Sequence, residues 1–300
     1  MSINIIRHLQ IILILISLPL SAIVRADSAA MVEGLQLPVW LERNGIRHSL
    51  TLGMSLQQQD TVETGPGARL LIQLGDGSLV KLGENASLTL AELEPAASSQ
   101  GIFSSLLNVV RGAFRLTTAK LARQRKSNLE INIASLTLGV RGTDVWGKAA
   151  GNRDIVCLIE GHIEVEDNAN DTTFEMTQGL TFYIAPHGKP PLPVQPVPSA
   201  KLKEWSQETD LTEGMGILRG DGGWTVHLLS FPKREAANDA RQELSKAGYA
   251  AVVRQALSSG ATWYRVSIPG FVNKTEAQAF QANIIGKFGI TKPWISWRKS

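Results

Sequence analysis

The sequence predicts a multidomain chain, with an N-terminal all-β domain and a C-terminal α+β module separated by a proline-rich linker. Three observations support this prediction. Apolar and polar residues alternate in short runs through residues 32–185, six prolines stand within residues 186–199, and strand and helix patterns alternate over residues 222–300. Alternation with a period of two is typical of strands, whereas proline disfavours sheet pairing and helix interiors. A chain of 300 residues is long enough for two ordinary domains.

The first residues have the pattern of an export signal. A short basic segment precedes an apolar run over residues 9–24, and Val24 and Ala26 suit a cleavage site. We therefore predict a signal peptide over residues 1–26, cleaved after Ala26, and a periplasmic mature protein. The alternative is an uncleaved membrane anchor, although this run of 16 residues is short for a span of about 20.

The predicted all-β domain covers residues 27–185. In residues 68–74, the side chains of Leu70, Ile72 and Leu74 fall on one face of a strand. Turn residues separate the early runs, which recur about every nine residues and suit either a sandwich or the short coils of a solenoid. Further strands are predicted over residues 78–82, 86–93, 108–117, 129–135, 154–167 and 173–184.

The predicted linker covers residues 186–222. Proline fixes φ and lacks an N–H group, so we expect residues 186–199 to form a stiff spacer that pairs with no strand. A short helix is predicted at residues 201–210, followed by a glycine-rich loop at 215–223. The boundary between the domains therefore lies within the linker.

The C-terminal module, residues 223–298, has the predicted element order βαββαβ. Gly248 stands where the first helix should stop, and Asn273 with Glu276 forms a capping-box-like start of the second helix. The economical packing is one four-stranded antiparallel sheet with both helices on one face and the other face open. Strands are predicted over residues 224–231, 250–257, 261–268 and 293–297, and helices over 234–249 and 273–289.

The net charge is divided unevenly along the chain. Residues 27–221 carry 17 basic and 23 acidic side chains, a net charge of −6, whereas residues 222–300 carry 11 and 4, a net charge of +7. A basic module favours a polyanionic partner such as a cell-wall polymer or nucleic acid. Export argues against nucleic acid.

The sequence contains no recognisable catalytic or cofactor motif. Its single cysteine, Cys157, allows neither an intramolecular disulfide nor a cysteine-based zinc site, and we expect it to be a buried apolar side chain. His48, His162, His187 and His227 lack metal-ligand spacing, and no nucleophile elbow or phosphate-binding loop occurs. Paired carboxylates distant in the chain are an open alternative. We predict a non-enzymatic protein without catalytic residues, cofactors or metals.

Several short motifs follow one another in the C-terminal module. They are WTVHLLSF at 224–231, KAGY at 246–249, WYRV at 263–266, PGF at 269–271, TEA at 275–277 and PWI at 293–295. In this order they resemble a SPOR domain, the sporulation-related repeat of bacterial cell-envelope proteins, over residues 222–298. The resemblance implies a ferredoxin-like fold that binds peptidoglycan, in particular glycan strands stripped of stem peptides, often at the septum during cell division.

A second set of motifs lies within residues 32–185. TG at 64–65, LGDGS at 74–78 and LGVRGTD at 138–144 are followed by EG at 160–161. They resemble a FecR domain, an all-β, solenoid-like extracytoplasmic module best known in regulators that signal to sigma factors. A predicted export signal stands in place of the cytoplasmic region of that type, so we expect this domain to contact an unknown envelope protein or scaffold. We expect LGVRGTD to serve turns and packing and assign it no ligand.

The candidate binding residues come from strand parity and from the resemblance. Parity places Trp263, Arg265 and Ser267 on the open face, with Thr225, His227 and Leu229 on the same face of the first strand. Indole planes suit the apolar faces of sugar rings, short polar groups suit hydroxyls, and arginine suits a carboxylate. With the positions that the resemblance adds, the predicted peptidoglycan-binding residues are His227, Ser230, Trp263, Arg265 and Trp294.

Some of these residues carry alternatives. SPOR domains commonly have glutamine at the position of His227, and an exposed strand histidine is more often simply solvated. Trp263 could instead serve ordinary packing, although two tryptophans near an otherwise polar open face favour binding. Ser230 has the parity of the covered face and needs a bulge or a strand end to reach the open one. Trp294 and Trp297 have opposite parity, so we expect one of them in the core and select Trp294 as the exposed one on resemblance alone.

The sequence thus predicts an exported cell-envelope protein that binds denuded glycan strands of peptidoglycan through its C-terminal module. The all-β domain would contact an unknown envelope protein. The alternative is a periplasmic FecR-type signalling regulator that uses the SPOR-like module only for localisation.

Overall fold

The computed structural model describes residues 29–94, 103–119, 127–258 and 260–297. The predicted signal peptide and its cleavage site after Ala26 lie outside these residues. In the described part of the chain, no helix is long and apolar enough to cross a membrane.

The N-terminal part consists mainly of β-strands. The strands of the N-terminal part are β1 Ala30–Gln36, β2 Val39–Arg43, β3 Ile46–Ser49, β4 Ser55–Leu56, β5 Thr61–Thr64, β6 Arg69–Leu74, β7 Leu79–Leu82, β8 Ser87–Leu93, β9 Phe103–Thr117, β10 Ser127–Ile133, β11 Leu136–Ala150, β12 Arg153–Asp167, β13 Thr172–Met176, β14 Thr181–Pro186 and β15 Leu192–Pro196.

Three long strands, β9, β11 and β12, organise the N-terminal part. Each spans 15 residues and contains a glycine with positive φ: Gly112 at 85°, Gly142 at 65° and Gly161 at 97°. A Cβ atom on Gly161 would collide with the carbonyl oxygen of Gly142, so the bends of β11 and β12 nest against each other. The first half of β9 pairs with β8 and β10, and its second half with β7 and β11. Both halves bury side chains in one core, including Leu107 and Leu116.

Period-two alternation predicted the core face of β6 correctly, because Leu70, Ile72 and Leu74 are all buried. LGVRGTD, in contrast, is a bend inside β11 rather than a turn between strands. Its carboxylate at Asp144 accepts two hydrogen bonds from Arg115, at 2.8 and 2.7 Å, which agrees with a packing role for the motif.

The expectation that residues 186–199 pair with no strand is wrong. β15 pairs antiparallel with β14, with Gln195 opposite Phe182 and Leu192 opposite Ile184. In the described chain β15 pairs with no other strand, so it is an edge strand, and only one of its sides must exchange hydrogen bonds with a neighbour. Prolines are tolerated on such strands. The proline-rich stretch therefore extends the N-terminal sheet.

The predicted short helix is α1, Ser199–Thr209, and it is docked on the N-terminal part. The indole of Trp205 stacks on that of Trp146, with ring centres 4.6 Å apart and planes 8° apart. Ion pairs hold the C-terminal end of α1: Lys148 with Glu208 at 2.9 Å and Lys81 with Asp210 at 2.6 Å. The linker is thus ordered against the sheet.

The C-terminal part forms an antiparallel sheet in the order β18–β19–β17–β20. Helices α2 and α3 pack on the face that carries the buried side chains of Val226, Val266 and Ile268. The opposite face carries no helix of this module. The elements are β16 Leu218–Arg219, β17 Trp224–Phe231, α2 Arg234–Lys246, β18 Val252–Ser258, β19 Ala261–Phe271, α3 Lys274–Ile284 and β20 Trp294–Trp297.

Strand β16 joins the two parts into a continuous sheet. Leu218 lies opposite Leu35 of β1 on one side and Phe271 of β19 on the other. Around this strand, the indole N–H of Trp40 donates to the carbonyl oxygen of Lys246 at 2.9 Å. The two parts therefore dock directly on each other, which the prediction of a stiff spacer between them did not include.

Gly248 ends α2 as predicted, and it also serves this interface. Its φ of +83° is a left-handed conformation that favours glycine at a helix C-terminus. A Cβ atom here would lie 2.7 Å from the indole of Trp40 and 2.9 Å from Pro38. The same glycine thus stops the helix and permits close approach of the N-terminal part.

Glu276 has a buried carboxylate that ties the end of the linker to α3. Its Oε1 accepts a hydrogen bond from the backbone N–H of Gly214 at 2.7 Å, and its Oε2 accepts from Gly216 at 2.8 Å and Ile217 at 3.0 Å. The Asn273 side chain caps the helix by accepting from the N–H of Glu276 at 2.9 Å. Only half of the predicted capping box is formed, because the Glu276 carboxylate binds the linker loop instead.

We expect Glu276→Ala to lower the free energy of unfolding by at least about 2 kcal/mol, because it leaves three backbone N–H groups without their acceptor. Urea unfolding followed by circular dichroism measures this loss. Glu235→Ala, at an exposed glutamate in the first turn of α2, is the control and should cost less than about 1 kcal/mol. Equal losses in the two variants would contradict the assigned role of Glu276.

Candidate functional site

The uncovered face of the C-terminal sheet carries all five predicted binding residues. Residues directly opposite each other in an antiparallel pair share a face. Arg254 lies opposite Arg265 and Ala256 opposite Trp263, while His227 lies opposite both Ser267 and Trp294. We call this surface the open face; its side chains include Thr225, His227, Ser230, Arg254, Ala256, Trp263, Arg265, Ser267, Trp294 and Ser296.

A bulge at Leu228 sets the register of β17. His227 pairs with Ser267 and Leu229 with Val266, so β17 has one more residue than β19 between these pairs. Beyond the bulge Ser230 lies opposite Arg265, and its side chain is exposed on the open face. The expectation that Leu229 lies on this face is wrong, because the bulge turns it to the side of buried Val266.

Aromatic rings line the open face near the edge strand β20. The imidazole of His227 stacks on the indole of Trp294, with ring centres 4.7 Å apart and planes 14° apart. The guanidinium carbon of Arg265 lies 5.6 Å from the centre of the same indole, a cation–π distance. Trp294 is 38 % exposed and Trp263 is half-buried, so both indoles are accessible in part.

Neither tryptophan of β20 belongs to the core, so that part of the prediction is wrong. Trp297 points to the other face of the sheet and is nevertheless 55 % exposed. It lies at the end of an edge strand and packs edge-on against Trp224, with ring centres 5.3 Å apart. The expected exposure of Trp294 is confirmed.

His227 is held in place and kept neutral. Burial lowers the pKa of His227, and the nearby charges of Arg265 and Arg254 lower it further. Its Nε2 lies 2.8 Å from the hydroxyl oxygen of Ser296, while Nδ1 is buried and has no partner among the described residues. A proton on Nδ1 would have no acceptor, which also disfavours the charged form.

Two residues of the open face were missed in the sequence, Arg254 and Ser296. They could be identified only from the residues that lie opposite them in the neighbouring strands, which the sequence does not show. The short connection between Ser258 and Ala261 pairs the two strands of this hairpin so that Arg254 meets Arg265. Neither guanidinium forms an ion pair with a carboxylate in the described part of the chain. The centre of the face therefore carries two adjacent, uncompensated positive charges.

Among the described residues outside the open face, one cluster of serine, histidine and aspartate resembles a nucleophilic triad in composition but not in its hydrogen bonds. Ser135 Oγ donates to Asp154 Oδ2 at 2.7 Å, and His187 Nε2 lies 3.1 Å from the same oxygen. The serine thus bonds to the carboxylate instead of the histidine, unlike a nucleophilic triad. Cys157 is buried as predicted, and burial raises its pKa to about 12. Within the described residues, no group of acidic, histidine or cysteine side chains could hold a metal ion.

The protein-family comparison decides the identity of the two parts. The model of the SPOR domain matches residues 220–295, which include every residue of the open face except Ser296. The chain contains a SPOR domain. The model of the FecR protein family matches residues 60–164, which include the bends of β9, β11 and β12. Both predicted resemblances are confirmed, as is a mostly β chain with two domains.

These matches also indicate a general function. The SPOR domain implies peptidoglycan binding and a place in the cell envelope, and the FecR domain implies a regulatory or signalling role. Both families consist of binding or regulatory domains rather than enzymes.

Among solved structures, the chain is similar to two crystal structures of a candidate anti-sigma factor from Parabacteroides distasonis ATCC 8503. The first is 12 % identical with a TM-score of 0.40, and the match covers 67 % of this chain and 96 % of that chain. The second is 13 % identical with the same TM-score, covering 80 % and 99 %. Among curated proteins, no sequence matches the chain significantly.

We expect the free energy of unfolding of the wild type to fall relative to that of His227→Gln as the pH falls below about 6.5, the ordinary pKa of histidine. The folded protein has a lower pKa at His227, so the unfolded chain takes up this proton first. The contribution of His227 is therefore complete above about pH 6.5 and is lost as the pH falls through the folded pKa. Urea unfolding of both proteins from pH 7.5 to 5 measures it; a constant difference would contradict the lowered pKa.

Proposed function

We propose that the protein binds denuded glycan strands of peptidoglycan through the open face of its SPOR domain. The observation that carries this proposal is that Trp263, Trp294, Ser230 and the Arg254–Arg265 pair share one uncovered face. Indole planes can cover the apolar faces of sugar rings, while hydroxyl and guanidinium groups bind their polar edges. The net charge of +7 over residues 222–300 adds a long-range attraction for an acidic polymer.

The five predicted binding residues have different roles in this proposal. Trp263, Trp294, Ser230 and Arg265 would contact the glycan, because each offers accessible surface on the open face. His227 would act mainly by positioning Trp294, since one of its ring nitrogens is bonded to Ser296 and the other is buried. This role also accounts for histidine where the family commonly has glutamine.

The N-terminal domain is docked away from the glycan-binding surface. Its contacts with the SPOR domain come from β16 and from the C-terminal end of α2, where Ser245 Oγ lies 3.0 Å from Ser49 Oγ. The open face would therefore stay available while the FecR domain is held in a fixed orientation to the bound polymer. We propose that the FecR domain presents a surface to an unknown envelope protein.

The proposal includes export and a domain arrangement. A signal peptide over residues 1–26, cleaved after Ala26, would deliver the protein to the periplasm, where its polymer is found. The FecR domain would occupy residues 27–185, the linker 186–222 and the SPOR domain 223–298. The order β17–α2–β18–β19–α3–β20 and the antiparallel sheet support a ferredoxin-like fold for the last of these.

A second function is favoured by the FecR match, namely a periplasmic signalling regulator that uses the SPOR domain for localisation. The test is a comparison of transcript levels in cells with and without the protein, under conditions that remodel the envelope. A reproducible change in a defined set of transcripts supports the regulator. Unchanged transcript levels contradict the regulator. The proposal that remains is glycan binding by the SPOR domain, with the FecR domain contacting an envelope protein.

We expect Trp263→Ala and Trp294→Ala each to weaken binding of the full chain to amidase-treated sacculi about 10-fold, because each removes an aromatic platform. Co-sedimentation with sacculi at graded protein concentrations measures the affinity. Trp297→Ala is the matched control, since it removes an exposed tryptophan of the same strand from the other face.

The control variant should sediment like the wild type, and all three variants should keep the wild-type circular dichroism spectrum. Failure of the wild type to sediment with sacculi, before and after amidase treatment, would contradict the proposed function. Equal loss of binding in Trp297→Ala would show that the open face is not the binding surface.

A further inference from the structure

We infer that Arg254 and Arg265 form a paired carboxylate-binding site that makes the open face selective for glycan with free acid groups. The same glycan with those groups converted to amides would bind more weakly. This inference rests on the proposed function and assigns the selectivity of that surface to two named side chains, one of which, Arg254, no sequence pattern indicated.

The first support is the position of the two arginines. They lie directly opposite each other in the β18–β19 pair, so their side chains leave the sheet side by side on the open face. Like charges at directly opposite positions destabilise a sheet. In the described part of the chain no carboxylate offsets this repulsion by an ion pair. A bound anion would remove the repulsion.

The second support is the effect of this charge on a neighbour. Burial lowers the pKa of His227, and the charges of both arginines lower it further, so their positive field extends across the open face to β17. Arg265 is further oriented by the indole of Trp294, 5.6 Å away. One guanidinium is thus placed between an aromatic platform and a second guanidinium.

The surroundings indicate an acidic sugar rather than an isolated anion. Guanidinium groups are planar and bind carboxylates through two parallel hydrogen bonds. Two indoles lie near the pair: that of Trp294, across the sheet, is 5.6 Å from the guanidinium carbon of Arg265, and Trp263 is two residues along β19. Ala256, opposite Trp263, is small and leaves the indole uncovered on the side of Arg254. A sugar ring on an indole could therefore place its acid group between the guanidiniums.

When the acid group of the sugar is converted to an amide, its ionic hydrogen bonds with Arg254 and Arg265 are lost. An amide carries no negative charge, so it loses the ionic hydrogen bonds that distinguish a carboxylate. Hydrolysis of the amide that links a stem peptide to the glycan restores the free carboxylate. Amide hydrolysis on the glycan is therefore the class of reaction that would strengthen binding to this face.

The test compares three probes that share a sugar backbone. They are denuded glycan strands with free acid groups, the same strands amidated with carbodiimide and ammonia, and chitin oligosaccharides, which have no acid group. We expect the full chain to bind the free-acid strands about 10- to 100-fold more tightly than the amidated strands, the range that ionic hydrogen bonds support. Chitin oligosaccharides should bind no better than the amidated strands.

Arg254→Gln should reduce the affinity for free-acid strands to that for amidated strands, because glutamine keeps hydrogen-bonding groups and loses the charge. Arg265→Gln should do the same. Arg234→Gln is the control, since it removes one exposed positive charge from α2, which packs on the other face of the sheet. It should keep the preference for free-acid strands.

Each outcome decides the inference. Equal binding of free-acid and amidated strands by the wild type overturns the arginine-pair inference and leaves the proposed function standing. Binding of neither strand overturns both. An Arg254→Gln protein that keeps the full preference shows that the pair is not the carboxylate site. An Arg234→Gln protein that loses the preference equally shows that net charge alone is responsible.

Discussion

A single extra residue in β17 determines which side chains of this strand enter the core of the SPOR domain and which lie on its open face. The bulge at Leu228 lets this strand satisfy the core and the open face together. With strict alternation, Leu229 would point to solvent and the Ser230 hydroxyl would enter the core, where an unpaired polar group is costly. The bulge reverses both placements, because Leu229 turns towards Val266 and Ser230 towards Arg265. The composition of the proposed glycan surface therefore depends on a local irregularity that the apolar core also requires.

The relative orientation of the two domains is fixed by the linker, which is attached to the structure at several points. The proline-rich stretch ends as an edge strand, α1 docks through the stacked indoles of Trp205 and Trp146, and the following loop is bound by the Glu276 carboxylate. β16 then pairs with both domains. A chain with this many attachments has little freedom to act as a flexible tether. The open face, which lies outside these contacts, keeps a fixed orientation relative to the FecR domain.

The features that the sequence predicted correctly are those that depend on neighbouring residues in the chain. Alternation identified β6, and glycine chemistry placed the end of α2 at Gly248. The failures are features that depend on residues distant in the chain. The edge position that tolerates the prolines of β15, the bend at Gly142 inside β11 and the loop bound by Glu276 all require knowledge of the tertiary neighbours. Arg254 was missed for the same reason, since its importance comes from the side chain opposite it and not from its own strand.

The histidine of the open face connects the two halves of the proposed site. Burial and, after it, the charges of Arg265 and Arg254 lower the pKa of His227. The neutral ring stacks on Trp294, and its Nε2 lies 2.8 Å from the hydroxyl oxygen of Ser296. The positive charge of the two arginines thus favours the neutral form of His227, which stacks on Trp294 at the edge of the face. A carboxylate bound between Arg254 and Arg265 would offset part of their field and make His227 easier to protonate. Since linkage is reciprocal, protonated His227 would in turn favour the bound anion, although its Nδ1 proton would then be buried without an acceptor. Acid therefore acts in two opposed ways at this site, by attracting the anion and by placing a proton on the buried Nδ1, which has no acceptor among the described residues.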